Sequence, residues 1–236
     1  MNVSENAKLN SVSSKGQLDV SQYVRICEKE NAALRVLFVG NSITRHGVKP
    51  DIGWHGDWGM AASSEDKDYV HRVVAGLEEK LGSVSYCVTQ GATWERAYWE
   101  DDAILEAHYL PARDFAADLV IIRIGENIPR AMLEEHPVGE HWVHMVKFFA
   151  AKNPGAHVIT TDNFWHIEAL DTAFRAEAEK NGWHFVKLHD LESIEGTMAI
   201  GLFEHVGVAR HPGDYGMQLI AERILAAVPD TLGGAK

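Results

Sequence analysis

The sequence predicts an α/β protein with a parallel sheet, because apolar runs that suit buried strands alternate with segments of helical periodicity. The five apolar runs lie at residues 34–39, 84–88, 118–124, 157–161 and 184–188. Most of them are continuous rather than alternating, which is typical of strands covered on both faces. Alternating strands and helices favour right-handed crossovers, so we expect a five-stranded parallel sheet between two helix layers.

Between the strands, apolar residues recur at the three- and four-residue spacing of a helix face. The patterns are Val70, Val73, Val74, Leu77 and Leu81; Trp142, Met145, Val146 and Phe149; Leu170, Ala173 and Phe174; and Met217, Ile220, Ala221, Ile224 and Val228. Asn153-Pro154-Gly155 and Asn181-Gly182 are stop signals, and each lies just before a predicted strand.

The chain length suits one folded domain. Its 236 residues can bury a full core, and the sequence contains no internal repeat. Residues 1–20 are polar and rich in serine and asparagine, whereas residues 21–33 fit either a short helix or a strand. We therefore predict an N-terminal extension at residues 1–33 and a single folded domain at residues 34–236.

Composition argues against several classes of partner. The formal net charge is −12, from 34 acidic and 22 basic residues, and such a surface repels nucleic-acid phosphates. Cys27 and Cys87 are too few for a disulfide framework, and Cys87 is expected to be a buried thiol. No signal peptide and no membrane-length apolar run is present, so we expect a cytoplasmic protein without a membrane partner.

Ser42 is the most informative residue of the chain. It directly follows the first predicted strand, in Gly40-Asn41-Ser42, while Gly91 and Asn127 follow two other strands. Because the carboxyl ends of parallel strands lie at one edge of a sheet, these residues should converge there. His211, near the end of the chain, is then a candidate base for the Ser42 hydroxyl.

This combination of residue types suits acyl transfer. A serine hydroxyl is a poor nucleophile at neutral pH and needs a base within hydrogen-bonding distance. The oxyanion formed on attack needs donors, for which the Ser42 N–H, the Gly91 N–H and the Asn127 amide are candidates. A glycine at position 91 suits close approach of a substrate oxygen to the backbone. Ser42 taken alone is also compatible with an N-cap of a following helix.

Four sequence blocks resemble the SGNH hydrolase family, whose members are also called GDSL-like esterases and lipases. The blocks are Gly40-Asn41-Ser42-Ile43-Thr44, with Asn41 where many members have aspartate; Gly91; Gly125-Glu126-Asn127, with Ile128 in place of the next aspartate; and His211-Pro212. They occur in the family's order across most of the chain. The resemblance implies a flavodoxin-like three-layer αβα fold and a serine esterase mechanism that uses no metal and no cofactor. The Gly-x-Ser-x-Gly elbow of α/β-hydrolases is absent.

One departure from the family pattern concerns the residue that orients His211. Three residues before the histidine the family usually has aspartate, whereas this chain has Val208. A backbone carbonyl near Val208 would still fix the imidazole tautomer, and we favour it. The sequence leaves two alternatives open, namely a carboxylate from Glu204 or Glu126 and the loss of catalysis.

Tryptophans near the predicted site have two interpretations. Trp54 and Trp58 lie in a glycine-rich stretch after Ser42, and Trp94 follows Gly91. They either bury against the sheet as additional core or form an aromatic wall for a sugar ring or acyl group. We retain all three as candidate substrate-binding residues. His141 and His144 are three apart on a helix, where a solvated face is a simpler interpretation than metal ligation.

The sequence therefore predicts a serine esterase that hydrolyses a small O-acyl ester through an acyl-Ser42 intermediate. Acetyl is the simplest acyl group, and a carbohydrate is one candidate alcohol. The alternative, which Val208 motivates, is a catalytically degenerate carbohydrate-binding protein on the same scaffold. A nucleotide-binding α/β protein is excluded, because residues 40–47 fit neither the dinucleotide motif nor a Walker loop. The oligomeric state, including a homo-oligomer, stays open.

Overall fold

The computed structural model describes residues 22–232, which form a six-stranded sheet between two layers of helices. The strands are β1 (Val24–Cys27), β2 (Leu34–Gly40), β3 (Val84–Gln90), β4 (Leu119–Arg123), β5 (His157–Thr161) and β6 (His184–Val186). Their order is β1-β3-β2-β4-β5-β6, and strands β2 to β6 are all parallel. Without β1 this is the flavodoxin-like order, so the predicted fold class is confirmed.

The predicted strand count of five is corrected to six by the edge strand β1. This strand pairs antiparallel with β3, with Val24 opposite Thr89. It lies inside the segment predicted as an N-terminal extension, and Val24 is fully buried. Its four residues are too few to show a period, which is why the sequence left helix and strand open. Residues 1–21 of the predicted extension lie outside the described residues.

Helices cover both faces of the sheet. They are α1 (Tyr69–Leu81), α2 (Ala92–Arg96), α3 (Asp101–His108), α4 (Leu110–Asp114), α5 (Val138–Ala150), α6 (Glu168–Asn181), α7 (Val206–Ala209) and α8 (Asp214–Ala227), with 3-10 turns at Pro50–Ile52, Glu65–Lys67, Tyr98–Glu100, Arg130–Met132 and His189–Ser193. Apolar residues of α1 and α8 form the core on one face, whereas those of α2 to α6 form it on the other.

The central strands are buried on both faces, which explains their continuous apolar sequence. In β2, Val36 and Phe38 contact the layer that contains α1, while Leu37 and Val39 contact the opposite layer. Burying a side chain of this kind contributes roughly 1.5–3 kcal/mol. Cys87 is buried and unpaired, as predicted. Within residues 22–232, none of the helices combines the length and the apolar character that a membrane span requires.

Candidate active site

Ser42 lies on a tight turn that begins where β2 ends. The amides of Thr44 and Arg45 both donate to the Asn41 carbonyl at 2.9 Å, and the Ser42 carbonyl accepts from Met60 N–H at 2.8 Å. A Cβ atom at Gly40 would lie 1.8 Å from Thr44 Oγ1, so only glycine allows this turn to close on the strand. The turn exposes the Ser42 side chain at the carboxyl edge of the sheet.

The structure brings Ser42 and His211 together across 169 residues of chain. Ser42 Oγ lies 2.8 Å from His211 Nε2, and His211 Nδ1 lies 2.7 Å from the Gly207 carbonyl oxygen. A carbonyl can only accept, so Nδ1 carries the proton and Nε2 of the neutral ring is free to accept from the serine hydroxyl. This is the tautomer that a general base requires. The hydroxyl therefore bonds to His211 rather than capping a helix.

The acceptor that orients His211 is the backbone carbonyl of Gly207, one residue before Val208. Helix α7 (Val206–Ala209) turns the chain so that this carbonyl faces the ring, and Val208 itself is fully buried. Of the two alternative carboxylates, Glu126 is engaged elsewhere and Glu204 forms no contact with His211 among the described residues. The favoured explanation from the sequence, a carbonyl near Val208, matches this geometry.

Asn127, a predicted oxyanion donor, lies in the site and is held by a buried carboxylate. Its Nδ2 donates to Glu95 Oε2 at 2.6 Å, and its backbone N–H lies 3.3 Å from Glu95 Oε1. An amide group has two N–H donors, so one remains for a ligand. The Ser42 N–H, the second predicted donor, has no acceptor among residues 22–232.

Gly91 does not supply the oxyanion donor that the sequence predicted. Its N–H donates to the Gly40 carbonyl at 2.5 Å, which extends the β2–β3 ladder by one residue. This N–H is therefore occupied within the sheet and is not available to an oxyanion. A Cβ atom at this position would lie 2.5 Å from Ile124 Cδ1, so a larger residue would have to displace the end of that side chain.

A buried charged network lies directly beneath the site. Arg123 is fully buried and donates to both carboxylate oxygens of Glu126, at 2.5 and 3.0 Å, and to Asn41 Oδ1. Asn41 Nδ2 in turn donates to Glu95 at 2.9 Å and to Glu126 at 2.5 Å. Asn41 thus bridges two acids that a third carboxylate would repel.

The two glutamates of this network have opposite pKa shifts. Burial and the charge of Glu126 raise the pKa of Glu95, although its hydrogen bonds from Asn41, Asn127 and Gly125 act against this. Burial alone would raise the pKa of Glu126, but the charge and hydrogen bonds of Arg123 outweigh it and lower that pKa. The network therefore keeps Glu126 ionised beside Arg123.

A cavity of about 210 Å³ opens over Ser42. Its polar side includes Asn127 and His211, while Ile52, Met60 and Val208 line an apolar side. This volume fits a small acyl group rather than a long chain.

The three tryptophans proposed as substrate-binding residues do not line this cavity. Trp94 is fully buried in the core against β2 and β4, and Trp54 is only 3% exposed. Trp54 packs edge to face on the half-buried Trp58 at 5.7 Å. These rings pack as core, the other interpretation that the sequence allowed, because indole rings bury large apolar areas.

Trp165 is the aromatic residue that does contact the site. Its ring lies 5.2 Å from the His211 ring in an edge-to-face arrangement. It follows β5 in the loop at the carboxyl edge of the sheet, and this position was the one signal in the sequence that could have identified it. This contact restrains the orientation of the imidazole ring and is made by an uncharged side chain.

The predicted histidine pair on α5 is accounted for by hydrogen bonds. Nδ1 of both His141 and His144 lies 3.0 Å from Asp101 Oδ2, at the start of α3. Asp102 completes a group with Asp101 and His144 that is compatible with metal geometry. The shared carboxylate links α3 to α5, which is a structural role.

A second histidine cluster, which the sequence did not single out, lies after β5 and β6. His166, Asp171 and His189 place ligand atoms within 4.8 Å of one another. Nδ1 of His166 lies 2.8 Å from Asp171, and Nδ1 of His189 lies 2.7 Å from Asp162. Each imidazole thus has its own carboxylate partner, and these bonds hold the two loops together.

Comparison with known proteins identifies the fold. No protein-family model and no curated protein sequence matches the chain. Among solved structures, a proposed GDSL-like lipase from Parabacteroides merdae has a TM-score of 0.56 and 17% identity over 83% of this chain and 95% of that chain. An extracellular lipase from Streptomyces rimosus has a TM-score of 0.53 and 13% identity, covering 83% and 100%. Axe2, an acetylxylan esterase from Geobacillus stearothermophilus, has a TM-score of 0.51 and 18% identity, covering 89% and 98%. The chain thus has the fold of GDSL-like lipases and esterases, as its sequence blocks imply.

Proposed function

We propose that the protein is a serine esterase that hydrolyses small O-acyl esters, with acetyl as the acyl group. The observation that carries this proposal is the hydrogen-bonded chain from Ser42 Oγ through His211 to the Gly207 carbonyl. This chain supplies a nucleophile, a base in the correct tautomer and an acceptor that orients the base. The esterase and lipase names of the structures with the same fold support it.

In the proposed mechanism, His211 Nε2 takes the hydroxyl proton as Ser42 Oγ attacks the ester carbonyl. The tetrahedral oxyanion receives hydrogen bonds from the Ser42 N–H and the free N–H of Asn127. His211 then donates its proton to the leaving alcohol, and an acyl-Ser42 intermediate forms. Water attacks this intermediate by the reverse route and releases the acid.

The Gly207 carbonyl fixes the tautomer of His211 but carries no full charge. It therefore stabilises the imidazolium formed during attack less than a carboxylate does. The negative charge of Glu126 also favours the imidazolium, which partly offsets this. The alternative of a degenerate carbohydrate-binding protein rests on Val208, and the Gly207 hydrogen bond removes its main motivation.

The acyl group is proposed from the size of the cavity. About 210 Å³ accommodates an acetyl group and part of an alcohol. A carbohydrate alcohol is supported by the acetylxylan esterase of the same fold. It has no support from Trp54 or Trp94, because these rings are buried.

A panel of 4-nitrophenyl esters tests the proposed function. We expect the acetate to be hydrolysed with a kcat/KM at least about tenfold above that of the octanoate, since extra methylenes find no apolar space. Release of 4-nitrophenol is followed by absorbance, with heat-denatured protein as the control. No turnover of any ester above this control would contradict the proposal.

The pH profile should reveal the environment of His211. Burial lowers the pKa of His211 to about 4, while the Gly207 carbonyl and Glu126 oppose this shift. At a pH above its pKa the imidazole is neutral and acts as a base. This activity is lost as the pH falls through the pKa. We therefore expect kcat/KM for 4-nitrophenyl acetate to rise around pH 4 and to be level from about pH 6 to 8.

The measurement is kcat/KM between pH 3.5 and 8, with circular dichroism at each pH to restrict the fit to folded protein. An apparent pKa near 6.5, the ordinary value of histidine, would contradict the buried environment assigned to His211.

A further inference from the structure

A second cavity adjoins the one above Ser42. Its volume is about 280 Å³, and the two cavities share lining residues His46, Gln90, Ala92 and Arg96. The proposed ester hydrolysis engages only the Ser42 side of this space. A substrate bound at Ser42 therefore has room to extend past Arg96 into the second cavity.

The two cavities differ in charge from the rest of the molecule. The chain has a net charge of −12, yet no aspartate or glutamate is among the described residues that line either cavity. The lining instead includes the basic residues Arg45, His46, Lys49 and Arg96. By contrast, the cavity beside α6 is lined by Glu168, Asp171 and Glu179, among others.

Arg96 lines both cavities, and its charge has no ion-pair partner among residues 22–232. Arg45 forms a two-pronged ion pair with Asp57, at 2.9 Å for each bond, and Lys49 lies 3.9 Å from Asp51. Arg96 is exposed and forms no ion pair or side-chain hydrogen bond with residues 22–232. It ends helix α2, which starts directly after β3, so the sheet fixes its position beside the nucleophile.

The other basic group shared by the cavities adds little charge at neutral pH. Burial lowers the pKa of His46, and its Nδ1 donates to the Gly47 carbonyl at 2.7 Å. Arg96 is therefore the cation that both cavities share at neutral pH. A guanidinium binds a carboxylate through two parallel hydrogen bonds, which gives direction as well as affinity.

We propose that Arg96 is a specificity-determining residue and that the substrate is an ester bearing a carboxylate, which binds Arg96 while the ester lies at Ser42. This inference rests on the proposed function, because it assigns the substrate class of the same site. With acetyl as the acyl group this carboxylate belongs to the alcohol part of the ester, and an ester that carries the carboxylate on its acyl part serves as the comparison.

Two matched pairs of esters test this inference. The pair 4-acetoxybenzoate and methyl 4-acetoxybenzoate places the charge on the alcohol part, and the pair monomethyl adipate and dimethyl adipate places it on the acyl part. The substitution Arg96→Gln is expected to lower kcat/KM about tenfold for 4-acetoxybenzoate, the scale of one charge-assisted hydrogen bond, mainly through a higher KM. Its effect on the neutral members should stay within about twofold. Comparing variants on one ester cancels differences in intrinsic reactivity.

Two controls separate a bound carboxylate from a general change in charge or structure. Arg175→Gln removes the same charge from an exposed position on helix α6 and should leave kcat/KM unchanged for both pairs of esters. Arg96→Lys should recover part of the activity on the charged ester. Added salt should lower kcat/KM of the wild type for the charged ester but not for the neutral one.

Equal losses on the charged and neutral esters in Arg96→Gln, or no loss on either, would overturn the assignment of the anion site. A wild-type protein that hydrolyses none of the four esters would contradict the proposed function itself. The two failures are therefore distinguishable.

Discussion

Replacement of Ser42 by alanine should lower kcat/KM for 4-nitrophenyl acetate by about 10⁴-fold or more, the scale of losing a serine nucleophile. Among residues 22–232 the hydroxyl of Ser42 has one hydrogen bond, to His211 Nε2 at 2.8 Å, and its loss removes the proposed nucleophile. The backbone of the turn does not depend on the hydroxyl, because it is held by main-chain bonds to Asn41 and Met60. Stability should therefore change by less than about 1 kcal/mol.

The measurement pairs steady-state kinetics with denaturant unfolding. Ser64→Ala is the matched control, since the hydroxyl of this half-buried serine donates to Asp66 and its loss should leave activity within about twofold of the wild type. A Ser42→Ala variant that keeps more than about a tenth of wild-type activity would remove Ser42 from the mechanism.

Replacement of Arg123 by methionine should destabilise the fold by about 3–5 kcal/mol, the usual cost of leaving one member of a buried ion pair alone. Arg123 is fully buried, and the side chain of Glu126 is only 5% exposed. Without the guanidinium, the network described beneath Ser42 keeps Glu95 and Glu126 and loses its cation. Methionine fills most of the volume, so the loss is chiefly electrostatic.

A double variant identifies the cause of this loss. Arg123→Met combined with Glu126→Gln removes both charges and should be more stable than Arg123→Met alone by at least about 1 kcal/mol. Free energies of unfolding from urea titrations at neutral pH provide the comparison. A double variant that is as unstable as the sum of the single variants would show that packing, rather than the unpaired charge, holds this region together.

Much of the fold could be predicted because its signals are periodic. The continuous apolar runs at β2 and β4 reflect burial on two faces, and the helical spacing in α1 and α8 reflects burial on one. The parallel sheet then brings Ser42 to the same edge as residues from other strands. Helix α8 contains the predicted apolar residues from Met217 to Ile224, and Asp214 in its first turn accepts from Ser63 N–H at 2.8 Å.

The features that the sequence did not reveal lack such a period. Strand β1 has four residues, and its register is set by β3 rather than by its own pattern. The sequence favoured a carbonyl near Val208 as the acceptor for His211, but every residue type supplies a carbonyl, so only the geometry of α7 identifies Gly207. The N–H of Gly91 is occupied because the β2–β3 ladder continues one residue past the strand, and ladder length is a tertiary property.

One residue in the sequence, Arg123, indicated the buried charged network beneath Ser42. Arg123 ends the buried apolar strand β4, and an arginine there requires a partner of opposite charge. Glu126 is three residues after Arg123 and is a candidate partner on spacing alone. Glu95 lies 28 residues before Arg123 and reaches the network only through the fold. Glu95 lies within helix α2, so the convergence of strand ends that predicted the site does not predict its contact with Asn127.

Covalent labelling with a fluorophosphonate, followed by peptide mass spectrometry, shows whether Ser42 is a nucleophile activated by His211. We expect one adduct, on the peptide containing Ser42, which forms far more slowly in a His211→Ala variant. A folded wild-type protein that remains unlabelled, or one labelled at a different residue, would contradict it.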